Sequence, residues 1–467
     1  MPKVMTILLL VITAMSLSAQ KIDRTKPPEP APLPAFKLPS AEEKTLANGL
    51  RVVMVEDRRF PLVTVRLGFQ AGAKFDPPET PGVSEAVAAL LTEGTKSRTA
   101  RRIAEQSAEI GGALKAGSSA DSLIVQGSSL AEHTAALLDL AADIALNASF
   151  PDEEVAIFRN RRKQELLAER SEAAFWADDK LASVIFGSHP YSRVNPTPQS
   201  IDKLDRAVLA AFRDRLLAPN NGVLILLGAL PARDAAWKLI GEKFGGWQRR
   251  ELSASPAVRF PEPRRSILLV DRPGSVQADI RVGRLAVSRT DPDYFPLLVA
   301  NTILGGGASS RMFMNIREKQ GFAYDAHSSL QPRRDAGLFA AVTQVRNEVI
   351  EPALAAVQAE MARLSGEPVS ATELSHVKNY LSGTYVMGLE TQSGLANQLA
   401  AVKLMGLSEN YLETYTARVR AVRPDQIQSA ARKYLAPDVA GIVVVGDASQ
   451  IGKAVEKLGS VTVVKAE

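Results

Sequence analysis

The chain has 467 residues, and on a prior of about 150 residues per domain it has room for two or three domains. Its 46% hydrophobic and 23% charged residues exclude a disordered chain and a multi-span membrane protein, and the net charge of +5, without a basic block, does not indicate a nucleic-acid binder. Cysteine is absent, which excludes disulfides, thiolate metal sites and a cysteine nucleophile.

The first residues indicate export. Lys3 precedes an apolar run from Val4 to Met15, and small residues follow up to Ala19. This order is typical of a cleaved signal peptide over residues 1–19 and predicts an exported, periplasmic protein. An uncleaved anchor is the alternative, although the run is short for a bilayer span. Residues 20–41 are rich in proline and predict an extended tether.

Strands and helices then follow in order. Asn48-Gly49 predicts a hairpin turn, and a third strand is expected over 62–71. Thr80-Pro81 predicts the start of a helix that ends at Gly94. Two short strands near 113–118 and 122–129 are expected between long helices at about 100–111, 131–147, 152–170 and 175–186.

The second half repeats the plan of the first. Leu217-Ala218-Pro219 precedes an apolar strand that ends at Gly228, and Leu435-Ala436-Pro437 precedes one that ends at Gly446, 218 residues later in each case. Repetition at one spacing predicts an internal duplication.

The duplication sets the predicted domains. We expect one domain over 42–250, a linker over 251–263 and a second domain over 264–467, with Val53–Glu56 and Leu268–Asp271 as equivalent strands. The predicted class is α+β, each domain an antiparallel or mixed sheet with long helices on one face, and the pair forming a clamshell. Two domains packed side by side are the alternative.

The histidines are too few and too far apart for a local metal site. There are four, His133, His189, His327 and His376, and the closest two are 49 residues apart. No helix or hairpin therefore presents a histidine pair to one metal ion.

Two segments carry a resemblance to a known family. Asn48–Val53, Ala71–Ala73 and a glycine-started helix ending at Glu93–Thr95 resemble the pitrilysin/insulinase peptidases, which include the mitochondrial processing peptidase. Gly305–Phe313 and Ile316–Tyr324 resemble the carboxy-terminal signature of that family.

The resemblance implies a lost zinc motif. Active members carry H-x-x-E-H on this helix, where two histidines bind zinc and the glutamate is the general base. Glu85 stands at the first histidine, Ala88 at the base and Ala89 at the second histidine. The distal glutamate ligand falls at Glu165, for which a solvated helix charge is the favoured alternative.

The resemblance also implies that a second set of residues is retained. An arginine and a tyrosine at the places of Arg317 and Tyr324 reach a zinc site across the cleft in the family and donate hydrogen bonds to the substrate. The alternative is structural, with Arg317 paired to Glu318 or Asp325 and Tyr324 packed in the sheet.

The glycine run has two interpretations. Gly305, Gly306 and Gly307 lack the lysine of a phosphate-binding loop, and a helix end followed by a tight turn accounts for them. In the zinc-less subunit of the processing peptidase, a longer glycine loop at this place assists substrate binding, so the resemblance implies the same use here.

Together these features predict a zinc-less subunit of a periplasmic two-chain metallopeptidase, not catalytic alone. Zinc is expected in a paralogous partner subunit, and the substrate is a peptide or an unfolded protein that binds by strand addition. No nucleic acid and no membrane span after signal cleavage are expected. The alternative is a non-enzymatic scaffold or peptide-binding protein of the same fold. Autonomous hydrolysis is disfavoured because no G-x-S-x-G motif is present.

Overall fold

A computed structural model describes residues 36–252 and 258–466. The predicted signal peptide, most of the tether and part of the linker lie outside these ranges. The strands of the first half are β1 (Ala41–Thr45), β2 (Arg51–Glu56), β3 (Leu62–Phe69), β4 (Ala113–Ser118), β5 (Leu123–Leu130) and β6 (Gly222–Gly228). Those of the second half are β7 (Ser266–Asp271), β8 (Gln277–Ala286), β9 (Ala323–Gln331), β10 (Gly337–Arg346), β11 (Gly441–Gly446) and β12 (Val461–Lys465).

Each half forms one six-stranded mixed sheet, and the α+β class is confirmed. The order is β1-β2-β6-β3-β5-β4 in the first half and β12-β7-β11-β8-β10-β9 in the second. β6 runs parallel to β2 and antiparallel to β3, and β11 has the same relation to β7 and β8. The outer strands differ, since β1 is antiparallel to its neighbour and β12 is parallel.

The register of the two sheets follows the repeat seen in the sequence. Glu56 lies opposite Gly228 in the first sheet, and Asp271 lies opposite Gly446 in the second. The strand segments that matched in sequence therefore occupy equivalent positions, as an internal duplication requires.

Fifteen α-helices lie within the described ranges. In the first half they are α1 (Val83–Leu90), α2 (Ala100–Glu109), α3 (Thr134–Asn147), α4 (Asp152–Arg170), α5 (Ala173–Phe186), α6 (Pro198–Asp202), α7 (Arg206–Leu216) and α8 (Arg233–Phe244). In the second half they are α9 (Tyr294–Gly305), α10 (Ile350–Gly366), α11 (Ala371–Leu389), α12 (Gln392–Met405), α13 (Tyr411–Ala421), α14 (Pro424–Tyr434) and α15 (Ala448–Glu456). No helix in the described part of the chain is long and apolar enough to cross a membrane.

The two halves exchange one helix each. α5 packs on β8 and β11 of the second half, where Leu181 and Val443 share a hydrophobic cluster. α12 packs on β3 and β6 of the first half, where Leu395 and Ile225 share another. The central strands are buried on both faces and read as continuous apolar runs, because each is covered by its own helices on one side and by the exchanged helix on the other. The two halves are therefore joined by the packing of these two helices.

Candidate functional site

The helix that carries Glu85, Ala88 and Ala89 begins later than Thr80-Pro81. α1 starts at Val83, after Gly82 in a left-handed conformation with φ 97°. The Asp76 carboxylate fixes this start, since it accepts hydrogen bonds from the Gly82 N–H (2.7 Å) and the Ser84 N–H (3.1 Å). Burial raises the pKa of Asp76 to about 6, against the opposing effect of these two bonds.

The three motif positions lie on α1 as the spacing predicts, but they do not share one environment. The Glu85 side chain is about half exposed, whereas Ala88 is buried in the core of the first half and Ala89 packs against that core. Glu85 also lines a cavity of ≈ 310 Å³ together with Lys74, Ser118 and Tyr191. Of these three positions, only Glu85 therefore presents a polar side chain to the cavity.

A buried arginine, which the sequence analysis did not single out, meets Glu85. Arg162 on α4 has 8% of its side chain exposed, and its Nε lies 3.0 Å from Glu85 Oε1. Its Nη atoms donate to both carboxylate oxygens of Glu169 at 3.1–3.2 Å. Burial raises the pKa of Glu85; the charge of Arg162 opposes this and the charge of Glu169 adds to it.

Glu165, the predicted distal ligand, faces solvent. Its partner is Arg161, one turn earlier on α4, at 3.6 Å, and both side chains are more than half exposed. No hydrogen bond or ion pair among the described residues joins Glu165 to α1. Glu165 is therefore a solvent-exposed helix charge, which is the alternative expected from the sequence. Glu169, four residues later, contacts Arg162 instead.

The glycine run in the second half forms the end of α9 and the turn after it. A Cβ on Gly305 would lie 2.1 Å from the Ser328 backbone nitrogen, and one on Gly306 would lie 2.6 Å from Thr302 Cα. A Cβ on Gly307 would meet no atom within 4 Å. Packing thus requires the first two glycines, and the third is free of that constraint.

A cavity of ≈ 600 Å³ opens beside this turn. Gly306, Gly307 and Ser309 line one side, and His376 and Tyr380 on α11 line the other. The glycine run therefore borders a space large enough for a side chain of a bound peptide.

The segment after the turn is held by an ion pair. Arg311 Nε and Nη2 each donate to one oxygen of Glu373 on α11 at 2.9 Å. This bidentate ion pair holds the Gly305–Phe313 segment in a fixed position against α11. Phe313–Lys319 forms a π-helix. Its wider turn is a form that often occurs at functional sites.

Arg317 and Tyr324 meet at the end of this helix. The Arg317 guanidinium lies 5.1 Å from the centre of the Tyr324 ring and 4.5 Å from that of Phe313, and its Nε lies 3.7 Å from Glu318. Tyr324 is 86% exposed, so it does not pack in the sheet. The pair is oriented by cation–π contact, and no hydrogen bond among the described residues uses the phenolic hydroxyl.

The pair and the former zinc motif remain separate within the chain. No hydrogen bond or ion pair between described residues links Arg317 or Tyr324 to the first half. Tyr324 lies on β9, which is the outer strand of the second sheet, and β4, which contacts α1, is the outer strand of the first. Tyr324 and α1 thus each lie at the outer strand of a sheet.

Comparison with known proteins identifies the family. The profile of the insulinase family, peptidase family M16, matches residues 51–196, and the profile of the M16 peptidase inactive domain matches residues 203–381. The chain belongs to the insulinase (M16) peptidase family.

Three similar proteins show the extent of the similarity. An uncharacterized zinc protease of Streptomyces coelicolor is 24% identical over 400 residues, 84% of this chain and 86% of that protein. A probable mitochondrial-processing peptidase subunit beta of Arabidopsis thaliana is 23% identical over 423 residues, 85% of this chain and 76% of that protein. The crystal structure of a peptidase M16 inactive domain from Pseudomonas fluorescens has a TM-score of 0.81 at 27% identity and covers 87% of this chain and 98% of that one.

The residues of this M16 chain do not fit the zinc implied by the family motif. Ala88 and Ala89 have no donor atom, and a guanidinium already engages Glu85 and Glu169. No group of three or more histidines and carboxylates in the described part of the chain could hold a metal ion. This helix therefore carries neither the histidine ligands nor the general base of the family motif.

Proposed function

We propose that this M16 chain is the zinc-less subunit of a two-chain metallopeptidase and that it supplies Arg317 and Tyr324 to the zinc site of a paralogous partner. The observation that carries the proposal is the exposed Arg317–Tyr324 pair, at a strand edge, in a chain whose own motif helix has alanine at the base and ligand positions. Tyr324 is 86% exposed, and its ring is held beside the Arg317 guanidinium, so the side chain is accessible to a partner molecule.

The free edges support peptide binding by strand addition. In the described part of the chain β4 pairs only with β5, and β9 pairs only with β10, so each offers unpaired backbone groups to an extended peptide. A peptide on β9 would pass Tyr324, and the cavity beside Gly307 would receive one of its side chains. Compartment is also part of the proposal: the sequence of residues 1–19 supports export to the periplasm.

The test is reconstitution with a zinc-bearing M16 paralogue from the same organism. Each chain, produced without its signal sequence, is assayed alone and mixed for association by light scattering, zinc content and cleavage of a quenched fluorescent peptide. We expect association, zinc in the paralogue, and cleavage that is much faster in the mixture than in either chain alone.

The outcomes separate the two candidate functions. Association without any change in cleavage rate would contradict the proposal and leave a scaffold or peptide-binding protein. Cleavage by this chain alone, abolished by a chelator, would contradict both the proposal and the assignment of the motif helix.

A further inference from the structure

Arg162 joins two helices through one positive charge. Its partners are Glu85 on α1 and Glu169 in the last turn of α4, and the guanidinium that lies between them is nearly inaccessible to solvent. Two carboxylates held this close repel each other unless a cation lies between them. The guanidinium supplies that cation from the chain itself.

We infer that Arg162 is a built-in cation that takes the place of a metal ion in the first half of the chain and keeps one out. The carboxylates of Glu85 and Glu169, which such an ion would attract, both face Arg162: its Nε forms an ion pair with Glu85 at 3.0 Å, and its Nη atoms donate to Glu169 at 3.1–3.2 Å. A metal ion would also be repelled by a buried positive charge that cannot lose its proton in a protein. The absence of a metal ion beside α1 therefore depends on Arg162 and not only on the missing histidines.

Arg161 offers a matched control. It is the preceding residue on the same helix, it is 61% exposed, and its ion pair with Glu165 lies in solvent. Exposed pairs of this kind contribute little to stability. Removing either arginine changes the net charge by the same amount, so a difference between the two variants reports position rather than charge.

The first test restores the motif. Glu85→His, Ala88→Glu and Ala89→His together give H-x-x-E-H, and zinc binding is measured by competition with a chromogenic chelator in the full chain. We expect weak zinc binding while Arg162 is present, and at least tenfold tighter binding when Arg162→Met is added, because the buried positive charge beside the two introduced histidines is then removed. Equally tight zinc binding with and without Arg162 would overturn the inference.

The second test uses the native motif and needs no metal. Arg162→Met should lower the thermal midpoint by several degrees, and Glu85→Gln added to it should recover part of that loss by removing the repulsion with Glu169. Arg161→Met should leave the midpoint unchanged. A normal midpoint for Arg162→Met, or a loss that Glu85→Gln does not relieve, would show that Arg162 does not act as the cation of this cluster.

Discussion

Arg66 and Arg281 occupy equivalent positions in the two halves, and each binds the helix that the other half contributes. Arg66 lies opposite Ile225 in the first sheet and Arg281 lies opposite Val443 in the second, 218 residues further along the paired strand. Both arginines are buried. In both halves, therefore, an arginine at the same sheet position binds the helix contributed by the other half.

The partners of these arginines are different. Arg66 donates to Asn397 and Ser393 on α12, both at 2.6 Å, and burial lowers its pKa. Arg281 donates to Asp178 on α5 at 2.7 Å and to the buried Asp279 on its own strand. One half thus buries a cation with neutral partners, and the other buries an ion pair.

This difference predicts unequal costs of mutation. Arg281→Met should lower the free energy of unfolding by about 3–5 kcal/mol, since Asp279 is left buried without a counter-charge. Arg66→Met should cost less, about 1–3 kcal/mol, because only neutral acceptors lose their donor. Denaturant unfolding followed by circular dichroism measures both. Asp279→Asn should relieve part of the Arg281→Met loss; equal costs for the two arginines would contradict the assignment.

The buried carboxyl of Asp76 predicts a pH dependence of stability. Its pKa is raised to about 6 in the folded chain from 3.8, so the folded state holds the proton more tightly than the unfolded state. The stabilisation by that proton is complete below 3.8 and is lost as the pH rises through about 6. Lowering the pH from 7 to 5 should therefore add about 1 kcal/mol to the free energy of unfolding through this group.

Asp76→Asn removes the titration and isolates it from other groups. The variant should be less stable at every pH because an amide oxygen replaces two carboxylate acceptors, but the gain between pH 7 and 5 should shrink by that same ~1 kcal/mol. Urea unfolding at pH 5, 6 and 7 measures both chains. An identical pH slope for the two would contradict a buried, proton-holding carboxyl.

The glycine run predicts a contrast between two neighbouring substitutions. Gly305→Ala would press a methyl group against the Ser328 backbone, so it should lower stability by several kcal/mol or prevent folding. Gly307→Ala meets open space and should change stability by less than about 0.5 kcal/mol. If Gly307 borders a peptide site, this variant should raise the KM of the reconstituted complex at normal stability. Unfolding and KM measurements on both variants decide this.

Much of the fold could be predicted because its signals are local or repeated. The strand ends at Gly228 and Gly446 and the turn at Asn48-Gly49 each follow from a few consecutive residues. The two-domain prediction came from the repeat, since equivalent strands keep the same sequence spacing. What the sequence could not show was the helix exchange, because an amphipathic helix does not specify which sheet it will cover.

The site was predictable in position but not in contacts. The spacing alone places Glu85, Ala88 and Ala89 on one helix. Tyr324 lies on β9, the strand that follows the π-helix Phe313–Lys319. Arg162 could not be distinguished from its neighbour, since a step of one residue turns the side chain by about 100° around a helix and only packing decides which one is buried. The cap by Asp76 depends on a loop whose path is set by Gly82.

The most direct test of the proposed function is the peptide turnover of the reconstituted complex with Tyr324→Phe. This substitution removes one hydroxyl from an exposed ring and should leave folding, association and zinc content unchanged. If the hydroxyl stabilises charge that develops at the zinc of the partner, kcat should fall about 10²-fold with little change in KM. Tyr434→Phe removes a hydroxyl that contacts Asp293, at the opposite end of α9 from the glycine-run cavity, so it is the control and should retain full kcat. An assembled Tyr324→Phe complex that turns over peptide at the unmodified rate would contradict the assigned role of the Arg317–Tyr324 pair.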